Sequence, residues 1–378
     1  MRQGEKKILS KPYAMQHIGD PHRRLDSAID AYVPSAEKLA GEILHDLDLT
    51  NHGVKWWGYL AVHERILIGD YLYQCVNAIQ VNLTEAKLHY FEWLDTRDKE
   101  NDRIANAVSL DDVGEARLKH PSSHSGLDDL PERLQRLHLG GFFRAIGSSL
   151  DCLGGAIIGV LGLKISLRRG DLNEAEKTLR LTRPTDAGSK LQKSFLDSFA
   201  NAKERSGPED WLKWTNQYRN MFVHRGRRAS SYEVIPREHL FYDPNGQIIP
   251  RATSKLHLAR FPDRSEVEAL IVGKHTWLGE DAADTLSLIF ESCRALQEET
   301  CERLCSIWDE RRRNPTLIQQ PIEQWKTKIR SCRFAGYDPS KPFLGDTMNL
   351  SGSLAHRIRA AAVDDAQRSL WDGSDWGN

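Results

Sequence analysis

Apolar residues recur every three or four positions along most of the chain, which is the spacing that lines one face of a helix. Between residues 131 and 167, for example, Phe143, Ile146 and Leu150 fall on one stripe. The same spacing predicts helices over about residues 35–47, 56–79, 84–96, 131–167, 190–202, 209–225 and 279–313. Because strands do not alternate with these helices, the pattern favours a helical bundle over a parallel-sheet fold.

The helix predicted over 131–167 contains the most apolar stretch of the chain, residues 153–163. Its eleven residues are fewer than the roughly 20 that cross a bilayer, and residues 1–15 lack the apolar core of a signal peptide. We therefore predict a buried helix, no membrane association and a cytoplasmic location. Four glycines in this helix each weaken it by about 1 kcal/mol relative to alanine, so we expect a neighbouring helix to approach closely there. They are Gly154, Gly155, Gly159 and Gly162.

Two segments lack the helical spacing. The first, residues 98–131, is polar and rich in turn residues, which predicts a loop. The second, about 230–277, has the period of strands, with a hairpin expected around 243–246 and a further strand at 268–273.

The sequence thus predicts a mainly α protein, an antiparallel bundle of four to five long helices with a small β-rich insertion. We place the bundle at 51–313 and its β insertion at about 230–277. An N-terminal helical extension over 1–50 precedes the bundle. A C-terminal extension over 314–378, expected to be partly flexible, follows it.

Composition narrows the partners and the chemistry. The 378 residues include 52 basic and 53 acidic side chains, so a nucleic-acid partner would need a local basic patch rather than bulk charge. The six cysteines form no C-x-x-C pair, which favours reduced thiols. Cys301 and Cys305 lie one helical turn apart, and zinc binding there stays open as the less favoured alternative.

The helix predicted over 209–225 carries the most promising chemistry. Residues 206–209, S-G-P-E, match a capping box at its start, and Gly226 stands where a C-terminal cap belongs. A buried stripe is expected at Trp211, Trp214, Tyr218 and Met221 or Phe222. This stripe leaves Arg219, Asn220 and His224 to face elsewhere, the last two one turn apart on a shared face.

These side chains suit the metal-free cleavage of RNA. A histidine has a reference pKa of about 6.5 and can take the proton from a 2′-hydroxyl near neutral pH. Arg219 can neutralise charge that develops on the phosphoryl oxygens, and Arg225, Arg227 and Arg228 can hold the RNA backbone on either side. The chain has none of the common metal-binding motifs, so we expect neither a metal nor another cofactor.

The segment R-N-M-F-V-H, residues 219–224, resembles the Rx4–6H motif of HEPN (higher eukaryotes and prokaryotes nucleotide-binding) domains, and the helical setting is similar. The resemblance implies that Arg219, Asn220 and His224 are catalytic in a metal-independent endoribonuclease. It further implies a homodimer with a composite cleft and a role as a toxin or antiviral-defence effector that cleaves tRNA or mRNA. An antitoxin or regulatory partner would fit this role. The β insertion after the motif departs from the minimal domain.

Several alternatives stay open from the residues alone. Glu64 and Asp151 lie within other helices, where either carboxylate could orient Arg219 or His224, or could simply be a surface acid. Trp56, Trp57, Trp211 and Trp214 could stack on bases, although core packing is the more common role at these spacings. The alternative function is a non-catalytic HEPN-like module that binds RNA or nucleotide. A helical scaffold for a protein partner is the third possibility.

Overall fold

A computed structural model describes residues 31–46, 62–110, 116–118, 130–163, 165, 170–225, 230–236, 241–242, 248–249, 252–258, 280–314 and 317. The described chain is mainly α, as predicted, with seven α-helices in these ranges. Side chains are not described for residues 62–70, 102, 104–110, 116–118, 224–225 and parts of the strands.

The helices are α1 (Pro34–Asp46), α2 (Val62–Ala107), α3 (Leu130–Leu161), α4 (Leu172–Leu181), α5 (Ala187–Ser206), α6 (Trp211–Asn220) and α7 (Ala282–Arg313). A π-helical turn, Met221–Arg225, continues α6 directly. The strands are β1 (Val108–Leu110), β2 (Ala116–Leu118), β3 (Ser230–Pro236), β4 (Phe241–Tyr242), β5 (Ile248–Ile249), β6 (Ala252–Leu258) and β7 (Glu280–Asp281).

The largest helix–helix interface of the bundle lies between α2 and α3. Helix α2 runs antiparallel to α3, because contacts advance along α2 as they retreat along α3, from Leu72 at Gly159 to His89 at Gly141. Helix α7 instead runs parallel to α3, with Gln297 Nε2 donating to Ser149 Oγ at 2.7 Å near one end and Arg311 lying at Gly159 near the other. The bundle therefore mixes antiparallel and parallel neighbours.

Helix α1 lies in the same core as the rest of the bundle. Ser35 donates its hydroxyl to the backbone oxygen of Glu298 at 2.8 Å, and Trp308 Nε1 donates to Asp46 Oδ2 at 2.8 Å. The apolar residues of α1 are buried with those of α2, α3 and α7. The predicted helix over 35–47 is thus confirmed, and it is packed into the bundle rather than standing apart as an extension.

Close helix packing explains three of the four glycines that the sequence singled out, and these three lie near the end of α3. A Cβ atom at Gly154 would lie 2.4 Å from the backbone nitrogen of Leu172, and one at Gly159 would lie 2.6 Å from Leu72 Cδ1. At Gly155 it would meet Cys75 Sγ at 2.8 Å. Gly162 has another role, because its φ of 62° is left-handed and follows the end of the helix.

The β insertion is present where it was predicted. Strand β3 pairs antiparallel with β6, and β7 adds to β6 just before α7. Strands β4 and β5 pair around 243–247, which confirms the hairpin. Leu256 and Leu258 of β6 are buried in the core. The strand expected at 268–273 lies outside the described residues, as do residues 1–30 and most of 314–378.

The predicted loop over 98–131 is wrong in its first part. Helix α2 is one helix of 46 residues that continues to Ala107, and the short β1–β2 hairpin follows it. The polar residues of this part form local ion pairs that suit a helix, such as Arg103 Nη2 to Glu100 Oε1 at 2.6 Å. The two helices predicted over 56–79 and 84–96 therefore belong to one element.

Helix α4 was not predicted, although its signals are in the sequence. Asp171 is its N-cap and accepts a hydrogen bond from the Glu174 backbone nitrogen at 2.8 Å. Leu172, Ala175 and Leu179 form its buried stripe at helical spacing. At ten residues it is shorter than the windows in which such a stripe is conspicuous.

Helix α3 is the single helix in the described residues that is long and apolar enough to cross a membrane by length and composition alone. Of its most apolar window, 72% is buried inside the protein, however. Its apolar character is therefore that of a central core helix, in line with the buried helix predicted for residues 153–163.

Candidate functional site

Helix α6 packs its apolar face on α3, and this packing sets the orientation of the candidate motif. Trp211, Tyr218 and Met221 are buried, as the sequence predicted. The Tyr218 ring stacks on Phe143 of α3, with 5.0 Å between the ring centroids. Trp214 is partly buried against the same cluster. The two tryptophans of α6 therefore serve the core, and the polar side chains of the motif lie outside the apolar face.

The start of α6 differs from the predicted capping box. Ser206 is the last residue of α5, residues 207–209 follow it, and α6 begins only at Trp211. Its N-cap is Asp210, which has a left-handed backbone and makes no side-chain cap hydrogen bond. The proline in this segment has another local role, since its backbone oxygen accepts from the Trp211 nitrogen at 3.2 Å. Packing of Trp211 rather than capping thus sets the start of α6.

Arg219 lies across α3 at a glycine. A Cβ atom at Gly147 would be 2.3 Å from Arg219 Cδ and 2.4 Å from its Nε, so no other residue leaves room for this path. At its far end, Arg219 Nη2 donates to Asp151 Oδ2 at 2.6 Å. Gly147 and Asp151 are one turn apart on α3 and therefore share a face. The absence of a side chain at Gly147 leaves room for Arg219, and Asp151 holds the guanidinium group of Arg219.

The Arg219–Asp151 pair is open to solvent. The side chains are 30% and 35% exposed, respectively. A guanidinium group has five N–H donors, and the contact with Asp151 leaves donors for a ligand. An arginine oriented in this way can bind an anion such as a phosphoryl oxygen without first losing freedom of its long side chain.

The motif changes helix type between its arginine and its histidine. We predicted one α-helix to Arg225, but α6 ends at Asn220 and residues Met221–Arg225 form the π-helical turn. Five residues separate Arg219 and His224, which is about 140° around an ideal α-helix. A π turn holds more residues and rotates less per residue, so the two backbone positions lie closer around the axis. Such turns are frequent at functional sites.

Several predicted site residues fall outside the described part of the structure. The backbones of His224 and Arg225 belong to the π turn, but their side chains are not described. Arg227 and Arg228 lie outside the described residues, as do Trp56 and Trp57. Glu64 lies in α2, and its side chain is likewise not described.

Asn220 does not join Arg219. It is exposed and lines a groove of about 840 Å³ between α4, α5 and α6. On α6, Lys213, Asn216, Gln217 and Asn220 make the polar wall of this groove at helical spacing. Arg219 does not line this groove, since successive residues of a helix point about 100° apart.

A pair of histidines that the sequence did not indicate lies between α2 and α3. His89 Nδ1 and His138 Nδ1 are 3.1 Å apart, and the His89 ring covers Gly141. Burial lowers the pKa of both rings, and the charges of His138 and Arg144 lower that of His89 further. Forty-nine positions separate the two histidines, so no local pattern could have predicted the pair.

The cysteines and other metal-ligating side chains form no metal site in the described ranges, where no group of three or more could hold an ion. Burial raises the pKa of the Cys305 thiol to about 11 and raises that of Cys301 as well. Burial thus favours the neutral thiols, so forming the thiolates that zinc binds would cost additional free energy at both residues.

Comparisons of this chain with protein-family models, with curated proteins and with solved structures found no match. Its site must therefore be interpreted from its own residues.

Proposed function

We propose that the protein is a metal-independent endoribonuclease of the HEPN type, with Arg219 and His224 as catalytic residues. The observation that carries the proposal is the path of Arg219, which crosses α3 at Gly147 and is held by Asp151 at 2.6 Å. The backbone of His224 lies in the π turn, about one helical turn after Arg219. This combination presents an oriented cation next to the position of a titratable imidazole.

In the proposed reaction, a base removes the proton from a ribose 2′-hydroxyl, and the 2′-oxygen forms a bond to the adjacent phosphorus. The bond from phosphorus to the 5′-oxygen breaks, and that oxygen takes up a proton. The products are a 2′,3′-cyclic phosphate and a 5′-hydroxyl. His224 acts as the base or the acid, and Arg219 stabilises the charge on the non-bridging oxygens. Asp151 is a positioning residue that keeps Arg219 oriented.

The proposed setting follows from the resemblance of residues 219–224 to the HEPN motif. The enzyme would work in the cytoplasm as a toxin or antiviral-defence effector. Two copies would bring their motifs to one composite cleft, and an antitoxin or regulatory partner would restrain them. Asn220 has no catalytic part in this proposal, because it faces the groove between α4, α5 and α6.

The test is incubation of total cellular RNA with wild-type protein and with His224→Ala, in the presence of EDTA, followed by mapping of the cut ends. We expect the wild type to leave cyclic phosphates and His224→Ala to cut at least a hundredfold more slowly. His45→Ala is the matched control, since His45 also lies in the last turn of a helix, α1, and is exposed.

Equal cleavage by wild type and His224→Ala would overturn the proposal. Loss of wild-type cleavage in EDTA would replace the metal-free mechanism with a metal-dependent one. RNA binding without any cleavage would favour the non-catalytic RNA-binding module instead. Sedimentation with and without RNA tests the composite cleft, which a monomer in both conditions would contradict.

A further inference from the structure

One face of α3 carries three arginines in line with the candidate site. Positions three and four apart on a helix share a face, and this spacing connects seven residues of α3. They are Arg133, Arg136, Leu137, Gly140, Arg144, Gly147 and Asp151. The C-terminal end of this face holds the contact with Arg219. The N-terminal end holds the arginines.

Helix α6, which carries the start of the motif, packs on this face of α3. Arg219 lies at Gly147, whereas Phe222, three residues later, lies at Gly140, where its Cδ1 is 3.6 Å from the position of a Cβ atom. Helix α6 therefore runs antiparallel to α3. The backbone of His224 continues from Phe222 towards the end of α3 that carries Arg136 and Arg133.

Arg144 marks the junction between the motif and the arginines. Its Nη2 lies 3.9 Å from the same Cβ position at Gly140 that the Phe222 ring approaches. Its Nε donates to the Gly140 backbone oxygen at 3.2 Å. Arg144, Arg136 and Arg133 are all exposed. The three positive charges therefore lie on the solvent-exposed face of α3 that also contacts the candidate site.

These three arginines have no carboxylate partner among the described residues, which sets them apart from other surface arginines. Arg180 is paired with Glu176, Arg205 with Glu299 and Arg313 with Asp309. The one acid on the α3 face, Asp151, is engaged by Arg219. Arg133 also lies in the first turn of α3, where the helix dipole disfavours a cation, so helix stability does not explain it.

We propose that Arg133, Arg136 and Arg144 form a phosphate-binding track that holds the single-stranded RNA substrate on one side of the cleavage site. This inference rests on the proposed function and identifies how that site holds its substrate. The track spans about 16 Å along α3 at 1.5 Å per residue, enough for several phosphates. Arginine binds phosphate oxygens through two parallel N–H groups. Leu137, half exposed between the arginines, offers an apolar surface to the bases.

The track also shows how a protein with almost no net charge could bind RNA. With a net charge of −1, the protein as a whole does not attract a polyanion, and RNA binding requires a local basic patch. The groove beside Asn220 does not provide one, because its cations Lys203 and Arg180 are bound to Glu176. Its third cation, Lys213, lines the groove together with the acids Glu204, Glu209 and Asp210. The α3 face provides three cations that have no carboxylate partner among the described residues.

The test measures binding apart from cleavage. Fluorescence anisotropy is recorded with a labelled short 2′-O-methyl oligonucleotide of mixed sequence, which has no free 2′-hydroxyl to react. The variant Arg133→Gln/Arg136→Gln/Arg144→Gln is compared with wild type over a range of salt concentrations. The control variant Arg183→Gln/Lys190→Gln/Lys193→Gln removes three positive charges from the α4–α5 connection and the start of α5, which contacts the opposite, C-terminal end of α3.

We expect the α3 variant to bind at least about tenfold more weakly at low salt. The slope of log K against log salt should fall by about 2, since each phosphate contact on a single strand contributes about 0.7. The control should bind as wild type does. Equal binding by the α3 variant and wild type, equal losses in both variants, or no binding by wild type would each overturn the track.

The two proposals fail in different ways. If His224→Ala cuts RNA as fast as wild type while the α3 variant still loses binding, the catalytic assignment is wrong and the track stands. If His224→Ala is inactive while the α3 variant binds normally, the catalytic assignment stands and the track is wrong. Thermal unfolding of each variant distinguishes lost binding from lost folding.

Discussion

Two arginine–aspartate pairs join helices in the described part of the protein, and they differ in the burial of the aspartate. On the α1–α7 side, Arg312 Nε donates to Asp46 Oδ2 at 2.9 Å. That carboxylate also accepts from Trp308 Nε1 and is 6% exposed. On the α3–α6 side, Arg219 donates to Asp151, and both side chains are about one-third exposed.

The difference separates a structural pair from a functional candidate. Asp46 is enclosed, and both donors to its Oδ2 atom come from α7, so this carboxylate fixes α1 on α7. Arg219 keeps donors directed towards solvent, passes over a glycine and precedes a π turn. The Asp46 carboxylate supports the fold, because a buried acceptor that loses its donors costs free energy. The Arg219–Asp151 pair is about one-third exposed and contributes little stability, so its geometry is consistent with the proposed function.

Arg219→Ala should produce the largest effect. Cleavage should slow about 10²- to 10³-fold, as for the loss of one transition-state donor, while the free energy of unfolding changes by less than about 1 kcal/mol. Single-turnover cleavage and urea unfolding measure the two effects. Arg205→Ala, which breaks an exposed pair with Glu299, is the control. A stability loss as large as the effect on cleavage would assign Arg219 to the fold.

Asp46→Ala should show the reverse behaviour. Its removal leaves the buried Trp308 Nε1 without this acceptor, whereas Arg312 keeps its contact with Glu42, so the free energy of unfolding should fall by about 2 kcal/mol. The folded fraction should cleave at the wild-type rate. Glu291→Ala breaks an exposed pair with Arg294 on α7, away from Arg312, and should cost under about 0.5 kcal/mol. Equal stability of the two variants would contradict the comparison.

Gly147→Ala tests the path of Arg219 directly. The new methyl group would occupy the position of Arg219 Cδ and Nε, so the arginine must move away from Asp151. We expect cleavage to slow about ten- to a hundredfold, with stability nearly unchanged because alanine also favours the helix. Gly140→Ala is the matched control on the same face, since its methyl group would meet Phe222 at an ordinary 3.6 Å. Similar rates for both variants would show that the crossing at Gly147 is unimportant.

The smallest expected effect concerns the histidine pair near the site. Burial lowers the pKa of His89 and His138 below the ordinary 6.5. Below about pH 6.5 the unfolded chain therefore binds more protons than the folded chain, so the free energy of unfolding falls as pH falls. Glu85 and Glu92 of α2 oppose this shift, and Arg144 of α3 adds to it.

The corresponding variant is His89→Gln/His138→Gln. Its melting temperature should fall by about 2 °C less than that of wild type between pH 7.5 and 5.5. Differential scanning fluorimetry at both pH values measures the difference. Identical pH dependence in the two proteins would mean that the pair titrates normally.

The sequence predicted much of the fold because burial of long helices leaves a strong periodic pattern. Helix α3 was located to within a few residues at its start, and its glycines correctly indicated close packing. The errors arose where other signals dominate. The polar end of α2 looked like a loop, but pairs such as Glu100–Arg103 maintain the helix. The start of α6 is set by the packing of Trp211 rather than by the capping box.

The candidate site was only partly predictable, because local patterns identify side chains and buried faces but not contacts between residues distant in sequence. Residues 219–224 carry their chemistry in the sequence, and the buried stripe of α6 shows which side chains stay outside the core. The partner of Arg219 was open between Glu64 and Asp151, because a contact across 68 positions has no local signature. The separation of Asn220 from Arg219 likewise depends on which helices flank α6.

Local periodicity and side-chain type were thus enough to predict the mainly α class, most helix positions and the chemistry of the candidate motif. Three features required the folded protein: Arg219 crosses α3 at Gly147, Asp151 holds it, and the α3 arginines without a carboxylate partner in the described residues lie in line with it. These features require two helices to meet at a given register and angle, which is set by the packing of side chains distant in sequence.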